Sequence, residues 1–261
     1  MKNISPIKTI SIVGTGNVAT HLYKALSEIP TSVCGNGTHD QAIPSAPDIT
    51  LVNSRTLEGL PDHSDVILIA VKDDAITEVA ARVSGKASIL AHTSGSIPME
   101  ALKGYAENYG VFYPLQTFSK DKELDYKEIP FFIEGSSKSA TDILTSLASL
   151  ISKNVYEADS DKRKRLHIAA VFACNFANHL VGIADDILKE NGMDYTVLLP
   201  LLKETIGKLY LLPPSMAQTG PAVRNDTTVM KAHEEMLADN PEYLGIYRAL
   251  SQSIVDRHGN K

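Results

Sequence analysis

The chain has 261 residues, enough for one large domain or two ordinary ones, and its 43% hydrophobic and 21% charged residues are the balance of a globular protein. A net charge of −6, with no basic block beyond residues 161–165, argues against nucleic acid as a partner, and that cluster reads as the solvated start of a helix. Cys34 and Cys174 are too few and too far apart for a disulfide framework or a cysteine-rich zinc site. No apolar run approaches the roughly 18–20 residues that span a bilayer, and the N-terminus lacks the apolar core of a signal peptide. A cytoplasmic chain without membrane or nucleic-acid partners is expected.

Thr9 to Ala19 read Thr-Ile-Ser-Ile-Val-Gly-Thr-Gly-Asn-Val-Ala. A β-branched run meets Gly14-Thr15-Gly16, and a helical pattern (Val18, Leu22, Leu26) starts at once. This is the strand–turn–helix setting that a Gly-x-Gly-x-x-Ala fingerprint needs. Gly14 permits the tight turn, Gly16 lets a pyrophosphate approach the backbone, and Ala19 lets the helix pack on the strand. Amides and dipole at the helix N-terminus then favour phosphate. Gly14, Thr15, Gly16, Asn17 and Val18 are therefore the expected pyrophosphate cradle.

Strand-like runs follow at 32–34 (weak), 49–52, 66–71, 88–91, 110–113, 131–133 and 154–156, with helical segments near 74–84, 98–108 and 139–152. The continuous apolar run 66–71 is typical of a strand buried on both faces. Alternating β and α elements predict a doubly wound, mainly parallel α/β sheet over residues 1–157. Ligands of such sheets bind beyond the carboxyl ends of the strands. Three polar loops leave those ends: Val71-Lys72-Asp73, His92-Thr93-Ser94-Gly95-Ser96 and Tyr113-Pro114-Leu115-Gln116. Val71, Lys72 and Thr93 are expected beside the cofactor, and His92, Tyr113 and Gln116 beside the substrate.

Residues 158–261 read as an all-helical domain. A long helix runs from Asp161 to Glu190, stopped by Asn191-Gly192. Helices follow over 195–211, over 227–238 with Asp226 as cap, and from Pro241 onward. At about 100° per residue, His167, Asn178 and Asp185 share one face of the long helix, flanked by Val171 and Asn175. Polar groups in so apolar a helix need partners. The stripe is either a satisfied helix–helix contact or a pocket wall, with His167 the proton donor or acceptor and Asn175 and Asn178 orienting substrate. His167 and His179 lack the i,i+4 spacing of a helical zinc motif, so no metal is expected. Arg224 could hold a substrate anion or make a surface ion pair.

Several of these residues carry a family resemblance. Gly14-x-Gly-Asn-Val-Ala19 with His21-Leu22, Ala70-Val-Lys-Asp-Asp-Ala-Ile76, His92-Thr-Ser-Gly-Ser96, Phe112-Tyr-Pro-Leu-Gln-Thr-Phe-Ser119, His167-x7-Asn175-x2-Asn178-His179 and Gln218-Thr-Gly-Pro221 resemble a bacterial family. It joins a Rossmann domain to a DUF2520-type helical domain. The layout is distantly similar to pyrroline-5-carboxylate reductase, 6-phosphogluconate dehydrogenase and the coenzyme F420-dependent NADP reductases. The resemblance implies hydride transfer at a nicotinamide, a C-terminal domain like that of 6-phosphogluconate dehydrogenase, and a homodimer formed through the helices. The family ends its second strand in Ser-Arg-Thr, whose arginine suits the 2′-phosphate of NADP. Aligned without gaps, this chain has Asn36-Gly37-Thr38 there, which makes Thr38 a cofactor candidate and leaves NAD and NADP both open, the family alone favouring NADP. Ser54-Arg55-Thr56 would serve only after a long insertion and the loss of a strand. The expected function is an NAD(P)-dependent oxidoreductase of a small polar metabolite. The rival is a dinucleotide-binding protein without turnover, a redox sensor or assembly partner.

Overall fold

β1 (Thr9–Val13) is flanked on one side by β2 (Asp48–Val52) and on the other by β3 (Ser64–Ile69). The computed structural model describes residues 7–29 and 47–258. Beyond β3 the sheet continues through β4 (Ala87–His92), β5 (Asn108–Pro114), β6 (Phe131–Gly135) and β7 (Val155–Glu157), in the order β2-β1-β3-β4-β5-β6-β7. The first five strands are parallel. β6 runs antiparallel to β5, and β7 parallel to β6. The chain switches sides at β1, which opens a crevice at the carboxyl ends of β1 and β3.

Both faces of the sheet are buried at its centre, and this explains the unbroken apolar run of β3. Val66 and Leu68 join Ile10, Ile12, Phe112 and Phe131 beneath α1 (Asn17–Ser27) and α3 (Lys138–Ile151). Ile67 and Ile69 face the other way, with Val13, Val52 and Leu90, toward α2 (Ile76–Arg82). Ser137 caps α3 by accepting from the Ala140 amide. Two sequence expectations need correction. Residues 98–108 do not form a helix: a single 3-10 turn (Met99–Leu102) is followed by Gly104, whose φ of +90° suits glycine, and β5 begins at Asn108.

The second correction concerns the strand beside β1. The run 32–34 and Asn36-Gly37-Thr38 lie outside the described residues. What pairs with β1 is Asp48–Val52, in register from Ile10↔Ile49 to Val13↔Val52. Its carboxyl end runs straight into Asn53-Ser54-Arg55-Thr56, so the arginine that the ungapped alignment lacked stands at that strand end.

Contacts divide the chain into two units, Met1–Cys174 and Asn175–Lys261. In the first, α4 (Ser160–Ala170) is capped by Asp159 and continues into a π-helical stretch, Val171–Phe176, which leads to α5 (Ala177–Lys189). A π turn takes more residues than an α turn. The 100° spacing that aligned His167 with Asn178 and Asp185 therefore does not carry through 171–176. The second unit adds α6 (Leu199–Lys208), α7 (Pro214–Ala217), α8 (Thr227–Met236) and α9 (Pro241–His258). Asp226 caps α8 as expected. Helices α8 and α9 are tied by His233 Nδ1 to Tyr247 Oη (2.9 Å) and by Arg248 to Glu234 (2.6 Å). None of the helices α5 to α9 buries a residue.

Candidate functional site: a dinucleotide groove closed by a tyrosine–histidine pair

Gly14 sits at φ +148°, and a Cβ there would come 2.1 Å from the Ala70 carbonyl oxygen at the end of β3. Only glycine lets the two strand ends approach so closely. Gly16 is the N-cap of α1, and no side chain among the described residues caps that helix. Its first-turn amides are left for a ligand, and a Cβ on Gly16 would meet nothing within 4 Å. Ala19 is fully buried where α1 crosses the sheet. The loop after β5 is tied to the same helix: Asn17 Nδ2 donates to the Phe118 carbonyl, and His21 Nε2 donates to that of Ser119, both at 2.9 Å. A carbonyl only accepts, so in the neutral imidazole His21 Nδ1 is left to accept from the Tyr126 hydroxyl.

A groove of about 1090 Å³ opens over these strand ends. At one end it is walled by Asn53, Ser54, Arg55 and Arg82, in the middle by Thr15 to Val18 with Val71 and Lys72, and at the other end by Thr93 to Ser96, Tyr113, Gln116 and His167. Of the residues singled out from sequence, ten thus meet in one groove of the first unit. Gly14 supports it from behind. Asn175 and Asn178 belong to the second unit, and Thr38 lies outside the described residues.

At the far end the Tyr113 hydroxyl and His167 Nδ1 are 3.1 Å apart. Burial pushes the Tyr113 phenol up to about 12; the Arg163 guanidinium opposes this and Asp73 adds to it. The phenol therefore keeps its proton at neutral pH. Gly95 packs against both rings: a Cβ there would lie 2.7 Å from His167 Nδ1 and 2.8 Å from Tyr113 Cζ.

Arg163 was read from sequence as part of a solvated cluster; it is instead fully buried. One turn before His167, its Nη1 pairs with Glu134 on β6, and its Nη2 donates to the Ile97 carbonyl and Ser160 Oγ. Ser160 in turn donates to Glu134 through its amide (3.0 Å) and hydroxyl (2.8 Å), and accepts from the Met99 amide. The node thus holds the helix that carries His167 against the loop that carries Gly95. Arg163 Nε has no partner among the described residues.

His92, a sequence candidate for proton transfer, is enclosed and does not line the groove. Its Nδ1 accepts from the Ser94 amide (3.2 Å), so the proton sits on Nε2, which faces the Pro98 carbonyl at 3.4 Å. Burial, helped by the Arg163 charge and opposed by the Pro98 bond, lowers its pKa from 6.5 to about 4. A histidine held neutral in the fold favours unfolding once the unfolded chain can bind the proton. Stability is full above pH 6.5 and falls as the pH drops toward 4, by about 2 kcal/mol at pH 5 and about 3 kcal/mol at pH 4. Urea midpoints measured from pH 7 to 4 should show this loss in the wild type and not in His92→Asn, whose amide oxygen can still accept from Ser94. Equal losses in the two proteins would reject it.

A Gly-rich turn feeding an uncapped helix, at the switch point of a doubly wound sheet, defines a Rossmann-type dinucleotide-binding protein. Comparison with known proteins narrows the class. Residues 9–92 match the family described as NADP oxidoreductase, coenzyme F420-dependent, and residues 129–254 match DUF2520, a domain of unknown function. The crystal structure of BF3122 from Bacteroides fragilis is similar to the chain at 40% identity and TM-score 0.83, over 97% of this chain and 99% of that one. Protein TM1727 from Thermotoga maritima is similar at 22% identity and TM-score 0.68, over 97% and 99%. The reductive aminase from Aspergillus terreus, solved with NADPH and ethyl-5-oxohexanoate, shares the fold at 13% identity and TM-score 0.67, over 98% and 96%. No functionally curated protein matches the chain. The chain belongs to the family of Rossmann-type NADP oxidoreductases that carry a DUF2520 domain.

Proposed function

We propose that the protein is an NADP(H)-dependent oxidoreductase that reduces the carbonyl or imine of a small polar metabolite, or runs the reverse reaction. The observation that carries this reading is the proton-bearing Tyr113–His167 pair, which closes one end of the groove whose middle is the start of the Gly16-capped helix. The bound nicotinamide supplies hydride chemistry. The chain's own residues bind, orient and protonate. The amides after Gly16 receive the pyrophosphate. Arg55, at the carboxyl end of β2, offers a planar fork to the 2′-phosphate. When His167 Nδ1–H donates to the Tyr113 oxygen, the phenol proton is free to point at a substrate oxygen or nitrogen, and the histidine can restore it. Gln116 and Ser96 line the same end and can hold the substrate's polar groups. The match of residues 9–92 to the NADP oxidoreductase family supports the choice of cofactor.

Titration with NADPH and NADH tests the cofactor. NADPH is expected to bind tighter, and Arg55→Ala to lose about tenfold or more for NADPH with little change for NADH. Equal affinities in the wild type would overturn the NADP reading. NADPH oxidation across a panel of ketones, keto acids and imines separates turnover from mere binding. Tight NADPH binding with no turnover on any of them would favour a dinucleotide sensor.

The second unit supports a homodimer. Its helices bury nothing of their own, and Tyr210, Leu211 and Met236 are 87%, 84% and 80% exposed. Apolar surface of that extent marks an interface. Contrary to the expectation that no apolar stretch approaches membrane-spanning length, Ser160–Lys189 contains an eighteen-residue window of mean hydropathy 1.5 and is long and apolar enough to cross a membrane by length and composition alone. The same helix carries His167, Asn175, Asn178, His179 and Asp185, which are costly in lipid, so a second copy of the chain suits it better. Light scattering after size exclusion is expected to give twice the 28.3 kDa chain mass. A well-behaved monomer at micromolar concentration would reject the dimer.

A further inference from the structure

Arg82, the last residue of α2, spends its guanidinium on a loop far away in the chain. Nη1 donates to the Ser54 carbonyl and Nη2 to the Arg55 carbonyl, each at 2.7 Å. It therefore does not cap its own helix. The loop it grips is shaped by further bonds: Asn53 Oδ1 accepts from the Arg55 amide (2.8 Å), and the Asn53 carbonyl accepts from the Leu57 amide (2.9 Å). Leu57 takes the left-handed conformation at φ +54°. The Thr56 amide donates to no acceptor among the described residues. It belongs to the trans peptide whose carbonyl is held by Arg82, so it points away from that arginine.

Arg55 and Arg82 both line the adenosine end of the groove, and neither has a carboxylate partner among the described residues. Both side chains are positively charged, and positive charge at one end of a groove favours an anion there. A loop whose carbonyls are turned toward one arginine, leaving a second arginine side chain over the groove, is arranged for a phosphomonoester. We infer that Arg82 is a positioning residue for cofactor choice: it fixes the 53–56 loop so that Arg55 meets a ribose 2′-phosphate. This rests on the NADP reading above.

The test uses two small probes, adenosine 2′,5′-bisphosphate and 5′-AMP, which differ only in the 2′-phosphate, titrated into the full-length protein by calorimetry. The wild type is expected to bind the bisphosphate at least tenfold tighter. Arg82→Met, which keeps the alkyl stem but no donors, is expected to reduce that ratio by roughly tenfold. Its affinity for 5′-AMP should stay within about twofold, and its melting temperature should hold. Arg82→Lys, which keeps the charge but can grip only one carbonyl well, should fall between. If the wild type shows no preference, the NADP reading itself fails. If the wild type prefers the bisphosphate and Arg55→Ala abolishes the preference, but Arg82→Met retains it, the cofactor reading stands and the role of Arg82 is overturned. If Arg82→Met weakens both probes alike, Arg82 only stabilises the fold and the inference is again overturned.

Discussion

Tyr113→Phe is expected to lower kcat by about 10²–10⁴-fold, the usual worth of a positioned proton donor, while the Kd for NADPH stays within about twofold. The substitution removes one oxygen from a ring that is 8% exposed and leaves its contacts with Phe132 and His167. The separation of kcat from cofactor affinity is the diagnostic part. A residue that merely shaped the groove would alter both. Because burial holds the phenol at about 12, its protonation does not change between pH 6 and 9, and any bend in the rate profile in that range belongs to another group. Steady-state kinetics on whichever carbonyl or imine the panel identifies would check this, and a loss below tenfold would remove Tyr113 as proton source.

Arg163→Ala is expected to cost about 3–5 kcal/mol, because it leaves the Glu134 carboxylate largely buried without its counter-ion. At roughly 2–4 °C per kcal/mol for a chain of this size, the melting temperature should fall by about 6–20 °C. Arg163→Met combined with Glu134→Leu removes both charges at similar volume and should recover much of the loss. Calorimetric melting of the three proteins checks both statements. A single variant that melts within 2 °C of wild type would show that the node contributes little.

The parts of the site that were legible in the sequence are those encoded by neighbouring residues. Gly14, Gly16 and Ala19 depend on a strand, a turn and a helix that follow one another directly. The loops at Lys72, Thr93 and Gln116 were found because each leaves the end of an apolar run, and the sheet rule places all such ends on one edge. Arg163 was hidden because composition cannot tell a buried arginine from its exposed neighbours Lys162 and Lys164; a signal was present in its position one helical turn before His167. Arg55 was in view but set aside, since a gapless alignment cannot see which segment pairs with β1, and pairing is a long-range property. Arg82 gave no local sign at all: its partners lie 27 and 28 residues away. The helix expected at 98–108 gives way to a short 3-10 turn because Gly104, at φ +90°, takes the chain out of helical backbone.

The reversed direction of β6 sets the height at which the last helix of the first unit meets the site. Along β5, Val111 is level with Glu134 and Tyr113 with Phe132. Two strand residues rise about 6.8 Å, and the four helix residues from Arg163 to His167 rise about 6 Å. The two spans are nearly equal, and the same two contacts join their ends: Arg163 meets Glu134, and His167 meets Tyr113. A deletion or insertion of one residue between 163 and 167 would turn the imidazole about 100° around the helix axis and leave the phenol facing the wrong side chain, even with the arginine still anchored.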